Sequence, residues 1–372
     1  MQLSPQERYQ LDLQRPEFRA DASQAKAVEH LQQLYLQLIA EWHAEQKQSP
    51  LQKWFKNKFQ SSHEPVRGLY FWGGVGRGKT YLMDNFYESL PFPQKMRMHF
   101  HRFMRRVHAE LKKLAGEKNP LKKVADTIRI EARVICFDEF FVSDITDAMI
   151  LGTLMQELFA RGVTLVATSN IVPDNLYKDG LQRERFLPAI ALLKIHTQVI
   201  NVDGGTDYRL RSLEQAQLFH TPLGDKTDRA LQECFNSLLP INAHVKKNQA
   251  LEIEGRLIIS RYESDDIVWF DFVSLCDGPR SQNDYIELAR EYHTVIISNV
   301  PELTTKKEDQ ARRLVNLVDE FYDRQVKLVL SSEKKLDEIY SGQRLIFEFQ
   351  RTVSRLLEMQ SKLYLEKPHR PE

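Results

Sequence analysis

The chain has 372 residues, too many for one small core, so two domains or one elaborated domain are expected. Hydrophobic residues make up 42% and aromatics 10%, which excludes wholesale disorder. The net charge of +1, with 28% charged residues, excludes a chain that binds nucleic acid by bulk charge, although a local patch can still do so.

Residues 1–10, MQLSPQERYQ, carry no charged-then-apolar signal pattern, and no apolar run approaches membrane-spanning length. Cys136, Cys234 and Cys276 lie far apart, without metal-ligand spacing or an even count for bridges, which points to a reducing compartment. A soluble, cytoplasmic protein is expected. Residues 21–46 place Ala27, Leu31, Leu34, Leu38 and Trp42 at spacings of three or four, with Asp21 or Ser23 to cap, and predict a helix. GLYFW at 68–72 predicts a strand and KTYLMDNFYESL at 79–90 a helix. A strand at 95–100, a basic helix near 102–114, a strand at 133–140, a helix near 146–160 and strands at 163–170 and 197–203 follow. Strands alternating with helices predict an α/β fold with a parallel sheet.

After residue 205 the pattern changes. A helix at 225–238 precedes residues 243–272, whose alternation and β-branched content predict antiparallel strands or hairpins. Helices at 283–291 and 308–323, strands at 293–300 and 326–332, and one long helix at 343–364 complete the chain. The expected division is an N-terminal helical segment (1–60), a nucleotide-binding core (61–205) and an α+β C-terminal region (206–372). RVICFDEFFVSD…VTLVATSN and TVIISNVPELTT…VKLVLSS have the same strand, loop, helix, strand order, with Asn299 where the first has Asp138. Two ordinary α/β units or an internal repeat both produce that likeness.

Gly73, Gly74, Val75, Gly76, Arg77, Gly78, Lys79, Thr80 and Tyr81 form a glycine-rich loop of the type G-x-x-x-x-G-K-[ST], between a predicted strand and a predicted helix. Glycines let backbone N–H groups approach phosphate oxygens, and the helix N-terminus adds its unpaired donors. Lys79 would neutralise the β- and γ-phosphates and Thr80 would hold Mg²⁺. The apolar strand VICFDE delivers Asp138 and Glu139 at its carboxyl end, where open α/β sheets bind ligands. Asp138 would hold Mg²⁺ and Glu139 would act as general base on water. Asn170, ending LVATSN, is expected to sense the γ-phosphate or the attacking water. Arg183 and Arg185, in LQRERFLPAI, are candidates for an arginine that enters a neighbour's site, or for solvated surface groups. ATP and Mg²⁺ are the expected cofactors.

Residues 91–130 hold eleven Lys or Arg against three acids. His99, Phe100, His101, Arg102 and Phe103 are candidates to grip an acidic polypeptide or a single-stranded nucleic acid. The alternative is that the two Phe pack in the core and the bases are solvated. His99, His101 and His108 lack acids or Cys at ligand spacing and are not expected to bind metal.

In their order and spacing these elements resemble an AAA-type P-loop NTPase. GLYFWGGVGRGKTYLMDNFYESLP, MRMHFHRFMRRVHAEL, VICFDEFFVSDITDAMIL and TSNIVPDNLYKDGLQRERFLPAI, with LCDGPRSQNDYIELA, RRLVNLVDEFYD and FEFQRTVSRLLEMQS further on, resemble the ZapE family of cell-division ATPases and its mitochondrial lactation-elevated-type relatives. The resemblance implies an oligomeric ATPase at the division site that lowers the stability of the tubulin-like FtsZ polymer; the mitochondrial relatives imply protein quality control. It carries over Gly73–Thr80, Asp138, Glu139 and Asn170 as nucleotide-site positions and leaves a lid arginine, Arg351 or Arg355, unassigned. The competing readings are a nucleic-acid-dependent ATPase such as a helicase loader, and a nucleotide-gated adaptor. Glu139 and Asn170 argue against the adaptor, since binding alone requires neither.

Overall fold

The computed structural model describes residues 2–15, 21–47, 65–74, 78–203, 213, 216–239, 243, 245–264 and 266–370. The chain divides into two compact units, Met1–Thr206 and Asp207–Glu372. The boundary expected near residue 60 lies outside the described residues.

In the first unit, strands β1 (Gly68–Trp72), β2 (Lys95–His99), β3 (Val134–Asp138), β4 (Thr164–Ser169) and β5 (Thr197–Asn201) form one sheet in the order β2-β3-β4-β1-β5. Every pairing is parallel. Successive side chains of a strand face opposite ways, so each strand feeds two cores. Leu69, Phe71, Val134, Cys136 and Val166 pack on one face with the helices Ala22–Gln46 and Lys79–Ser89. Tyr70, Ile135, Phe137, Leu165 and Ala167 pack on the other with the helices Phe100–Lys113, Pro120–Glu131, Ile145–Ala160 and Leu187–His196. Burial on both faces explains the unbroken apolar reading of β3 and β4.

The Ala22–Gln46 helix starts where Asp21 Oδ1 accepts the N–H groups of Ser23 (2.7 Å) and Gln24 (3.1 Å). A helix not predicted from the sequence, Pro5–Asp12, is opened by a capping box between Ser4 and Glu7. The Pro120–Glu131 helix was likewise not predicted.

In the second unit, β6 (Phe219–His220), β7 (Lys246–Lys247), β10 (Tyr262–Ser264), β11 (Ile267–Asp271), β12 (Thr294–Val300) and β13 (Lys327–Ser332) form a sheet in the order β6-β13-β12-β11-β10-β7. The strands β8 (Ala250–Ile253) and β9 (Arg256–Ile259) form a separate hairpin. Its two-residue turn, Glu254-Gly255, has φ values of 47° and 72°, as a type I′ turn requires. The hairpins expected in 243–272 are present, with one difference. The end of that stretch, β11, is antiparallel to β10 but pairs in parallel with β12, so it belongs to an α/β sheet.

Val268, Phe270, Val295, Ile297, Leu328 and Leu330 pack on one face with the helices Phe272–Cys276, Gln282–Glu291, Glu308–Asp323 and Ile346–Glu358. Trp269, Ile296 and Val329 pack on the other with the helix Asp225–Leu238. The single helix expected at 343–364 is two, Ile346–Glu358 and Lys362–Leu365, because Ser361 accepts the Tyr364 N–H and starts a new helix.

Candidate active site

β1 ends at Trp72, and the Gly73 N–H donates to the Ser169 carbonyl at 3.2 Å, tying the start of the loop to β4. Gly78 sits at φ 76°, a left-handed conformation that favours glycine. A Cβ there would lie 2.2 Å from Gln24 Nε2. The Lys79–Ser89 helix follows directly.

Lys79 Nζ donates to the carbonyls of Gly73 (2.6 Å) and Gly74 (2.7 Å) and to Asn170 Oδ1 (2.8 Å). The loop cation and the strand-end amide, 91 residues apart in sequence, thus meet. They meet because β1 and β4 are neighbours. Val75, Gly76 and Arg77 lie outside the described residues. Tyr81 is buried, and its hydroxyl donates to Asp12 Oδ2 at 2.9 Å.

Asp138 closes β3 and is buried. Its Oδ2 accepts from Arg97 Nε at 2.7 Å, and Arg97 Nη1 bonds Asp84 of the loop helix. Two carboxylates taken largely out of water are therefore held by one guanidinium. Glu139 adopts φ 51°. Its N–H donates to Thr168 Oγ1 (3.3 Å), and the Phe140 N–H donates to the Thr168 carbonyl (2.7 Å). The backbone on both sides of the Glu139 side chain is thus anchored to β4. His99 Nδ1 lies 3.9 Å from Glu139 Oε2.

Sequence reasoning missed Arg97, Asp84 and Asp203. Asp203 Oδ1 accepts the Gly74 N–H at 2.6 Å, so a carboxylate stands on a loop amide. By residue type these groups would suit a magnesium–triphosphate group. An amide of the loop already binds an anion, and Thr80 and Asp138 supply the hard oxygens that Mg²⁺ prefers. Asp203 had a weaker signal than Asp138, lying two residues beyond the half-exposed strand TQVIN, whereas Asp138 closes the fully buried VICFD. Arg97 was visible as alternation in KMRMHF, which sets Lys95, Arg97 and His99 on one face of β2.

The other candidates are placed differently. Arg183 and Arg185 lie in a 3₁₀ turn, where Arg183 Nη2 donates to the Asp174 carbonyl (2.6 Å) and Arg185 Nη1 approaches Met149 Sδ (3.8 Å). Neither side chain touches Lys79, Asp138, Glu139 or Asn170 among the described residues. Arg351 and Arg355 both pair with Asp319, at 2.7 and 2.6 Å. Phe100 and Phe103 are not available to grip a client. Both are 1% exposed and pack on Phe140 and Phe137, with ring centroids 4.4 and 4.6 Å apart. The same helix exposes Arg102, Arg105, Lys112 and Lys113.

With that geometry in place, comparison with known proteins is decisive at the level of family: the model of the AFG1-like ATPases matches residues 3–368. The chain belongs to the AFG1-like ATPase family. This AFG1-like ATPase is 50% identical over 371 residues to the Escherichia coli cell division protein ZapE, covering 99% of this chain and 98% of that one. It is 36% identical over 348 residues to lactation elevated protein 1 homolog B of Danio rerio, covering 82% of this chain and 69% of that one. Among solved structures, DnaI aligns with 51% of this chain and 87% of its own, at 16% identity and a TM-score of 0.34. The glycine-rich loop between β1 and its helix, on a parallel sheet flanked by helices, gives the fold of a P-loop NTPase with a second sheet region, and the family gives the activity of an ATPase. No described helix is long and apolar enough to cross a membrane.

Proposed function

We propose that this AFG1-like ATPase hydrolyses ATP with Mg²⁺ to destabilise or remodel an FtsZ-like division polymer, working as a homo-oligomer in the cytoplasm and recruited to the division site. The observation that carries the chemistry is the convergence at adjacent strand ends: Lys79 and Asn170 in contact, with Asp138 and Glu139 on the next strand. The near-full-length identity to a protein named for cell division supports the choice of process.

In this reading the loop amides and Lys79 bind the β- and γ-phosphate oxygens, Thr80 and Asp138 hold Mg²⁺, and Asn170 orients the attacking water. Glu139 accepts that water's proton. Bound Mg²⁺ supplies charge neutralisation at the transferring phosphoryl group. Arg97 keeps Asp138 aimed. Burial of Phe100 and Phe103 removes the stacking platform that the nucleic-acid reading drew on, although the exposed bases of that helix suit an acidic polymer surface.

The test is turnover by purified protein with the tubulin-like polymer or single-stranded DNA added. Stimulation by the polymer, with no response to DNA, is expected. The reverse pattern would transfer the function to the helicase-loader class. Lys79→Ala should lose nucleotide binding, and Glu139→Gln should bind ATP but lower turnover by about 10²-fold or more; full activity in Glu139→Gln would remove it as the base.

A further inference from the structure

The second unit repeats the first. In the first, β1, a loop, the Lys79–Ser89 helix, β2, β3 and β4 follow in sequence, and the strands lie in the order β2-β3-β4-β1. In the second, β6, a loop, the Asp225–Leu238 helix, β11, β12 and β13 follow, in the order β11-β12-β13-β6. The segment β7–β10 is an insertion between helix and β11. The last crossover helix has 16 residues in each unit, Ile145–Ala160 and Glu308–Asp323.

The likeness extends to single hydrogen bonds. Before β3, the Arg133 N–H donates to the Gln94 carbonyl (3.0 Å); before β12, the His293 N–H donates to the Asp266 carbonyl (3.0 Å). The Thr164 N–H reaches the Arg133 carbonyl (2.9 Å), as the Lys327 N–H reaches that of His293 (2.8 Å). Gly162 (φ 74°) and Gln325 (φ 58°) end the two crossover helices. At the carboxyl ends, Glu139 (φ 51°) and Asn299 (φ 65°) are both left-handed. Each donates its N–H to a hydroxyl on the next strand, Thr168 (3.3 Å) and Ser331 (3.1 Å). This register aligns Asn299 with Glu139 and Ser298 with Asp138, one residue away from the alignment read in the sequence.

Most of the groups the chemistry requires have changed in the second copy, although Gly224, Lys226 and Thr227 keep a glycine, a lysine and a threonine at the helix start, with Thr227 Oγ1 donating to the Pro222 carbonyl at 2.7 Å. Gly78 and Gly224 precede the two helices, and the first helical residue, Lys79, becomes Asp225. Asp138 becomes Ser298, Glu139 becomes Asn299, and Asn170, two residues beyond Thr168, becomes Glu333, two beyond Ser331. Pro222 in the loop has no N–H to offer. Asp225 and Asp228 set two negative charges against the one positive charge of Lys226 in the first helical turn, a balance that favours the positive helix end and opposes phosphate.

The strand ends are also bridged to one another by their own polar side chains, which stay partly exposed. Arg261 lies over the Trp269 ring (4.7 Å) and donates to Ser298 Oγ (3.1 Å), with Asp271 and Asp228 at 3.6 and 3.9 Å. Asn299 Nδ2 donates to Asp271 Oδ1 at 2.6 Å.

We propose that residues 218–333 are a second copy of the ATPase fold whose nucleotide position has been converted into a closed polar network, so that each chain holds one nucleotide, in the first unit. The count of one rests on the ATP site proposed above; the closure of the second position does not.

The test is calorimetric titration of the full chain with a non-hydrolysable ATP analogue and Mg²⁺, alongside photolabelling with an azido-ATP analogue. One nucleotide per chain is expected, with complete loss of binding in Lys79→Ala and label confined to residues 2–203. Two nucleotides per chain, residual binding in Lys79→Ala, or ATP-competed label within 218–333 would overturn the proposal. No binding by the native chain would fail the first-unit reading, and absence of label in 218–333 would still support closure.

Discussion

In the ATP site proposed above, a phosphate oxygen would take the Gly74 amide that Asp203 now holds. Nucleotide binding has to displace that carboxylate or bring its charge close to the triphosphate. Asp203→Ala should therefore tighten Mg-ATP binding by about 1 kcal/mol, roughly fivefold in Kd. Weaker binding in the variant would instead make Asp203 a nucleotide ligand. The residues that sequence reasoning identified were those with a motif to announce them: the Gly-Lys-Thr triplet and the acids ending an apolar run. Arg97 and Asp203 act through strand neighbours that only the sheet order reveals. His99 faces Asp138 in the register between β2 and β3, a pairing not visible in the separate segments.

At the scale of elements, the Ala22–Gln46 helix shows how far the loop depends on its surroundings. Leu31 is fully buried in the core that also holds Leu82 and Phe86 of the loop helix. Gln24, one turn into the same long helix, abuts Gly78. Leu31→Ala should destabilise the first unit by about 2–5 kcal/mol. The measurement is the chemical-denaturation midpoint, and a cost under ~1 kcal/mol would show that the stripe does not pack as described. The period of that stripe made the helix legible in the sequence, as alternation did for the strands. Short capped elements escaped, because a turn such as Ser4–Glu7 leaves only two informative positions. The break before Ser361 escaped because apolar spacing continues across it. Phe100 and Phe103 illustrate the remaining ambiguity: aromatics spaced three apart read alike whether they face a client or a core.

At the scale of the whole molecule, burial sets how stability responds to alkali. Burial pushes the thiols of Cys234 and Cys276 up to about 11 and about 12, and raises Cys136 further. The phenols of Tyr70, Tyr285 and Tyr364 are raised for the same reason. In the unfolded chain a cysteine releases its proton near pH ~8.5 and a tyrosine near ~10. Above those values the folded state binds more protons, so this contribution is full below about pH 8.5 and is lost as pH rises. Melting temperature should fall steadily from pH ~8.5 upward; a flat profile to pH ~11 would contradict the burial of these groups. Oligomerisation is tested by mixing. If Arg183 or Arg185 completes a neighbour's site, Lys79→Ala subunits mixed with Arg183→Ala or Arg185→Ala subunits should regain part of the lost turnover. No recovery in either mixture would remove both arginines from that role.

The left-handed residue at the end of β3 occurs again at Asn299, on a strand end with no acid to aim. A backbone outlier beside a reactive group is easily taken as strain stored for catalysis. Its persistence where the chemistry is gone makes it a joint of the scaffold, needed to turn the chain off one strand and onto the hydroxyl of the next. At that joint the side chain can differ, glutamate in one unit and asparagine in the other, while the turn is the same.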